Sequence, residues 1–198
     1  MLDEPAKPQP AIPPLPANAC LLLIDMQQAI DQPCWGARNN PDAEQQVARL
    51  LAAWRERGMP VVHVRHMSTE PDSPYRPSQP GNDFKPESLP LPGERVIEKQ
   101  TNSAFVGTAL EAELRAAGSG TLVVAGVTTN NSVEATVRMA GNLGFNTWLA
   151  QDACFTFGRT DWNGRYWPAD EVHALALANL DGEYASVTAA AQVLAALP

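Results

Sequence analysis

Cys20-Leu21-Leu22-Leu23-Ile24-Asp25 is the stretch on which the reading of the fold turns: five apolar residues in a row that stop at an aspartate. A run this short and this apolar suits a strand covered on both faces, as in a parallel sheet flanked by helices. Downstream, Val47, Leu50, Leu51 and Trp54 recur at helical spacing and Gly58 follows them, so the spacing predicts an amphipathic helix that stops at the glycine. Asn40 followed by Pro41 reads as its N-cap and first residue. Val61-Val62-His63-Val64 is the next apolar run, and the unit reads as strand, helix, strand.

The same alternation continues to the end of the chain. Short strands are expected at 95–98, at 121–125 ending on Gly126, and at 145–150; helices are expected near 106–117 and near 131–143, the latter stopped by Gly144. Two further helical segments flank 184–187, the last of them alanine-rich at 188–197. Residues 65–94 hold seven prolines and two glycines, which rules out a regular element and marks a structured excursion from the sheet. These elements predict a three-layer α/β/α domain over residues 19–198, with a central, mostly parallel sheet of about six strands. The first 16 residues contain six prolines, so residues 1–18 read as an extended arm.

Composition narrows the function. With 198 residues, 44% of them hydrophobic, the chain suits a single core. Lys and Arg number 14 against 22 Asp and Glu, a formal charge of −8, which excludes nucleic acid and anionic lipid as partners. The longest purely apolar run, Ala19 to Ile24, is far shorter than the roughly 18–20 residues of a membrane helix. Asp3, Glu4 and the scattered prolines do not make a signal peptide. Cys20, Cys34 and Cys154 form no Cys-x-x-Cys pair and are odd in number, so a reducing cytoplasm is expected.

In open α/β sheets ligands bind at the carboxyl ends of the strands, so polar residues just beyond apolar runs are the first candidates for chemistry. Asp25 is one, though a lone aspartate there is as readily a turn or capping residue. Lys99 follows the 95–98 strand, where the plain reading is a surface cation. The third candidate is Gly126-Val127-Thr128-Thr129-Asn130-Asn131-Ser132-Val133-Glu134-Ala135-Thr136, where a strand turns into a helix and offers backbone N–H groups with the positive end of a helix dipole. Ser132 would face a carbonyl held there, or merely cap the helix.

Three motifs in order, Leu22-Leu23-Ile24-Asp25-Met26-Gln27, then Val96-Ile97-Glu98-Lys99 with Ser103-Ala104-Phe105-Val106-Gly107-Thr108, then Gly126 to Ala140, resemble those of the isochorismatase-like hydrolases. This cysteine hydrolase superfamily includes nicotinamidases and the N-carbamoylsarcosine, biuret and ureidoacrylate amidohydrolases. The resemblance implies a hydrolase of small amide or carbamoyl C–N bonds that releases ammonia, with a catalytic triad at Asp25, Lys99 and position 132. It further implies an oxyanion hole from the backbone N–H groups of Thr128 and Ser132, a non-proline cis peptide joining Val127 to Thr128, and a homodimer or homotetramer.

Position 132 is Ser where the resemblance implies Cys. A serine hydroxyl is far less acidic than a thiol, and an aspartate is a poor base for it. Three readings follow: an inactivating Cys-to-Ser substitution in a working hydrolase, a natural serine amidase that uses Lys99 as base, or a silent ligand-binding member. The intact flanking Asn130-Asn131 and Val133-Glu134-Ala135-Thr136-Val137-Arg138 favour the first. No metal or other cofactor is expected, because the Asp-x-His segment of nicotinamidases is replaced by His63-Val64-Arg65-His66. His66 reads as a loop anchor or pocket edge, His63 as a buried strand residue, and His173 as a helix packing or capping residue. Trp35, Phe105 and Trp162 are candidate pocket walls, and Arg38, Asn39 or Arg165 candidate readers of a substrate carboxylate.

Overall fold

The computed structural model describes residues 12–198; the first 11 residues of the expected arm lie outside it. The strands are β1 (Cys20–Ile24), β2 (Val61–His66), β3 (Arg95–Lys99), β4 (Thr121–Val127), β5 (Asn146–Phe155), β6 (Arg159–Thr160), β7 (Tyr166–Trp167) and β8 (Ser186–Thr188). The α-helices are α1 (Ala43–Glu56), α2 (Leu110–Ala116), α3 (Glu134–Asn142), α4 (Ala169–Leu180) and α5 (Ala190–Ala195). Six strands form one sheet in the order β3-β2-β1-β4-β5-β8, with every neighbouring pair parallel. β6 and β7 form a separate antiparallel hairpin.

The period of two along each strand divides the core into two layers. Leu21 and Leu23 of β1, with Val123 and Ala125 of β4, face α1 and α5. Cys20, Leu22 and Ile24, with Leu122 and Val124, face α2, α3 and the end of α4. The sheet is thus the middle of three layers, as the apolar runs imply. The described end of the arm lies along this domain: Leu15 is buried and its N–H donates to Ala196 O at 2.8 Å.

Several elements differ from the expectation. Helix α1 starts at Ala43, because Asn40 has positive φ (42°) and its side chain donates to Gln151 O and Cys154 O instead of capping. Helix α2 is shorter than 106–117 because Gly107 takes a left-handed turn (φ 71°) just ahead of it. β5 runs five residues beyond 150, and the β6–β7 hairpin that follows it was not expected. Residues 65–94 fold as an ordered loop around Gln27 and Asn82. The Gln27 amide donates to His66 O (3.1 Å) and Asn82 O (2.9 Å) and accepts the His66 N–H (2.7 Å). Asn82 Nδ2 donates to His66 O (2.9 Å) and Tyr75 O (2.7 Å).

Candidate active site

Four strand ends meet at the carboxyl edge of the sheet. Asp25 follows β1, His66 ends β2, Lys99 ends β3, and Ser132 lies in the turn after β4. β1 and β4 are neighbours, but one leads to α1 on one face and the other to α3 on the opposite face. That is the switch point at which such sheets bind ligands.

Asp25 takes a left-handed backbone (φ 52°), unfavourable for a residue with a Cβ, and its N–H is held by Val64 O at 3.0 Å. Beside it Gly126 also has positive φ (124°), and a Cβ there would stand 2.2 Å from Ile24 O. Only glycine lets β4 approach β1 at this point. Lys99 reaches past the end of β2, its side chain wholly buried. Its Nζ donates to Asp25 Oδ2 at 2.7 Å, Thr101 O at 3.1 Å and Ser132 Oγ at 3.3 Å. Lys99 thus bridges Asp25 and Ser132. Asp25 Oδ1 is buried and has no partner among the described residues.

Ser132 sits in a π-helical turn, Thr129–Val133, immediately before α3. Thr128 O accepts the N–H groups of Asn131 (3.0 Å) and Val133 (3.3 Å), and the Val127–Thr128 peptide is cis. The turn is braced from three sides. Thr129 Oγ1 pairs with His173 Nδ1 at 2.8 Å, Asn130 Oδ1 accepts the Thr156 hydroxyl, and Thr136 Oγ1 accepts the Ala104 N–H at 3.0 Å. The last contact ties the segment after Lys99 to the helix after Ser132.

Asp25 and Ser132 border a cavity of about 250 Å³, and Lys99 lies behind them, outside its lining. Asp25, Val127, Thr128, Asn131 and Ser132 line its floor, with Trp35, His66 and Tyr75 among its walls and Glu70 and Arg159 at exposed positions. Trp35 is held there by its indole N–H, which donates to Ala29 O at 2.8 Å, and by stacking on Phe157. Burial, and then the Lys99 charge, lower the pKa of His66, although Asp25 works against them. Burial beside Asp25 and Asp31 pushes the Tyr75 hydroxyl well above its usual range.

The other pocket candidates fall elsewhere. Arg38 pairs with Glu44 and covers the Phe155 ring at 3.6 Å. Asn39 exchanges hydrogen bonds with the Thr156 backbone, so it fixes the chain and does not line the cavity. Phe105 stacks on Phe145 in the layer of α2 and α3. Trp162 is 92% exposed beyond the hairpin strand β6, and Arg165 lies over Trp167 at 3.8 Å. Glu70, Tyr75 and Arg159 were not among the candidates. They come from the proline-rich loop and the hairpin, where no periodicity says which side chain turns inward. Burial pushes the thiols of Cys20 and Cys154 up to about 12, and neither lines the cavity.

The family of isochorismatase domains matches residues 19–192. A solved structure assigned to that family, from Chromobacterium violaceum, superposes with a TM-score of 0.90 at 66% identity, covering 92% of this chain and 96% of its own. The isochorismatase family protein YrdC of Bacillus subtilis is 39% identical over 174 residues, 88% of this chain and 93% of that protein. The ureidoacrylate amidohydrolase RutB of Variovorax paradoxus is 28% identical over 189 residues, 78% of this chain and 75% of that protein. The chain belongs to the isochorismatase family and is a hydrolase of that family. Among the described residues no helix is long and apolar enough to cross a membrane.

Proposed function

We propose that the cavity hydrolyses a small amide or carbamoyl compound with release of ammonia, through Asp25, Lys99 and the residue at position 132. The observation that carries the reading is the Lys99 side chain that joins Asp25 to Ser132, both of which line one small cavity. At about 250 Å³ the space lies below the roughly 300–1,000 Å³ of sites for drug-sized ligands, which suits a small substrate. The kinship with an amidohydrolase supports the choice of a C–N bond.

In this reading the nucleophile attacks the amide carbon while its proton passes to Asp25, whose Oδ1 is otherwise without a partner. Thr128 and Ser132 N–H groups receive the oxyanion at the positive end of α3. Collapse of the tetrahedral intermediate expels ammonia, which takes the proton held by Asp25, and water then hydrolyses the acyl-enzyme. Lys99 balances the charge of Asp25 whenever the carboxyl is ionised, before it takes the proton and after it gives it up. A carboxylate is a weak base for a serine hydroxyl but an adequate one for a thiol, so the arrangement is a cysteine hydrolase template with a slow nucleophile in place.

The test is ammonia release by the chain and by Ser132→Cys on nicotinamide, biuret, ureidoacrylate, N-carbamoyl amino acids and simple amides. The expected result is a gain of at least about a hundredfold in the cysteine form. Equal activity in both forms, lost in Ser132→Ala, replaces the template with a serine amidase. Binding of a panel compound with no ammonia release from either form replaces it with a binding protein.

A further inference from the structure

We propose that His173 is a positioning residue of the hydrolytic site: through Thr129 it holds the turn whose backbone N–H groups receive the oxyanion. The proposal rests on the hydrolase reading above and adds a residue that touches neither the substrate nor the nucleophile. His173 comes from α4, and its Nδ1 stands 2.8 Å from Thr129 Oγ1. Thr129 is wholly buried and is the first residue of the π-helical turn that ends at Val133 and includes Ser132. The carbonyl that joins Thr128 to Thr129 closes that turn by accepting the N–H groups of Asn131 and Val133. Thr128 and Ser132, the two oxyanion donors of the reading above, therefore lie on either side of Thr129, and a side chain that fixes Thr129 fixes the spacing of both.

His173 is itself held in place. It is buried, and its Nε2 lies 3.5 Å from Asn40 Nδ2, whose own hydrogen bonds go to Gln151 O (3.0 Å) and Cys154 O (2.6 Å). Asn40 thereby sets the imidazole against the end of β5. Burial lowers the pKa of His173, although Asp170 works against it, so the ring is neutral at pH 7. A neutral imidazole and a hydroxyl complement each other in either tautomer, since the hydroxyl both donates and accepts. Such a buried pair adds direction more than stability. Two apolar groups of the same shape would hold the fold about as well, but they would leave the orientation of Thr129 unset. Orientation counts heavily here, because loss of one oxyanion donor costs about 10²–10³ in rate and a misplacement of about 1 Å can cost about 10². The other braces attach at Asn130 and Thr136, so His173 is the side chain that anchors the residue next to the Thr128 donor.

The experiment separates acyl transfer, which develops an oxyanion, from alkylation, which does not. In Ser132→Cys the introduced thiolate either attacks p-nitrophenyl acetate, forming a thioester and expelling p-nitrophenolate, or displaces iodide from iodoacetamide. The unaltered chain, which keeps the exposed Cys34, is the blank for both reactions. Adding His173→Leu to Ser132→Cys is expected to slow acylation about tenfold and to leave alkylation within about twofold. Thr129→Val gives the same selective loss, and the two substitutions together lose no more than either alone. His173→Asn, whose amide can meet the Thr129 hydroxyl, brings acylation back to within about threefold. The form with both Thr129→Val and His173→Leu keeps its thermal midpoint within about 4 °C. Acylation that His173→Leu leaves unchanged, equal slowing of acylation and alkylation, or additive losses from the two substitutions overturns the proposal. A Ser132→Cys form that is acylated no faster than the blank overturns the hydrolase reading and the proposal with it, and that failure is seen before His173 is changed.

Discussion

At the scale of single residues the most consequential arrangement is the buried pair of Asp25 and Lys99, with side-chain exposures of 6% and 0%. Desolvating both charges is expensive, and only their contact and the additional acceptors of Lys99 offset it. Removing one partner leaves the other buried and uncompensated. Lys99→Met is therefore expected to destabilise the fold by about 3–5 kcal/mol, read from urea midpoints, whereas Asp25→Asn with Lys99→Met costs less than Lys99→Met alone by at least about 1 kcal/mol. Additive losses would show that the two side chains contribute independently. None of Asp25, Lys99 or Ser132 is informative in isolation, since an aspartate can cap, a lysine can be a surface charge and a serine can start a helix. What the sequence makes legible is their position, each just beyond or at the end of an apolar run. The parallel sheet then carries those ends to one edge.

At the scale of elements, runs that repeat at period two or near 3.6 are readable, and segments whose order comes from individual side-chain hydrogen bonds are not. The buried strand β1 and the helix α1 follow from spacing. The loop of residues 65–94 could be recognised as irregular from its prolines, but its path depends on Gln27 and Asn82, two amides that no pattern singles out. That path brings Tyr75 to the cavity wall and fixes the backbone of His66. Asn82→Ala removes one of the two donors from each of the carbonyls of Tyr75 and His66, which keep the Ser68 N–H and the Gln27 amide, and it opens a gap in the buried loop. The expected cost is about 2 kcal/mol, with faster proteolytic cleavage within residues 65–94 than elsewhere in the chain. Cleavage at an unchanged rate would show that the prolines alone hold the loop.

At the scale of the whole molecule, a parallel sheet of about six strands with two covered faces was legible because burial on both sides leaves a strong apolar signal, and Trp35 and His66 were legible at the cavity, whereas Glu70, Tyr75 and Arg159 were not, because they come from a loop and a hairpin. The same burial sets how stability depends on pH. His63, His66 and His173 all have lowered pKa values, in each case chiefly through burial. For His63 burial prevails even though Glu94 accepts its hydrogen bond at 2.9 Å. The unfolded chain therefore takes up protons near pH 6.5 that the folded one refuses, so stability is complete above that pH and falls as the pH drops below it. Glu44 and Glu94 act in the same direction further down. Burial alone would raise both, but hydrogen bonds from Arg38 and Lys85 to Glu44, and from Arg55, the Leu91 N–H and His63 to Glu94, outweigh it and hold each at about 2. Their contribution is present above pH 4.5 and is lost as the pH falls toward 2. Urea midpoints at constant m are thus expected to be level between about pH 7 and 8, to decline below about pH 6.5 and to decline again below about pH 4.5. His66→Gln removes one of the three histidine contributions, so its first decline is shallower than that of the unaltered chain. A midpoint that stays level from pH 8 down to about 5.5 would mean that the folded protein accepts protons on these histidines as readily as the unfolded chain does.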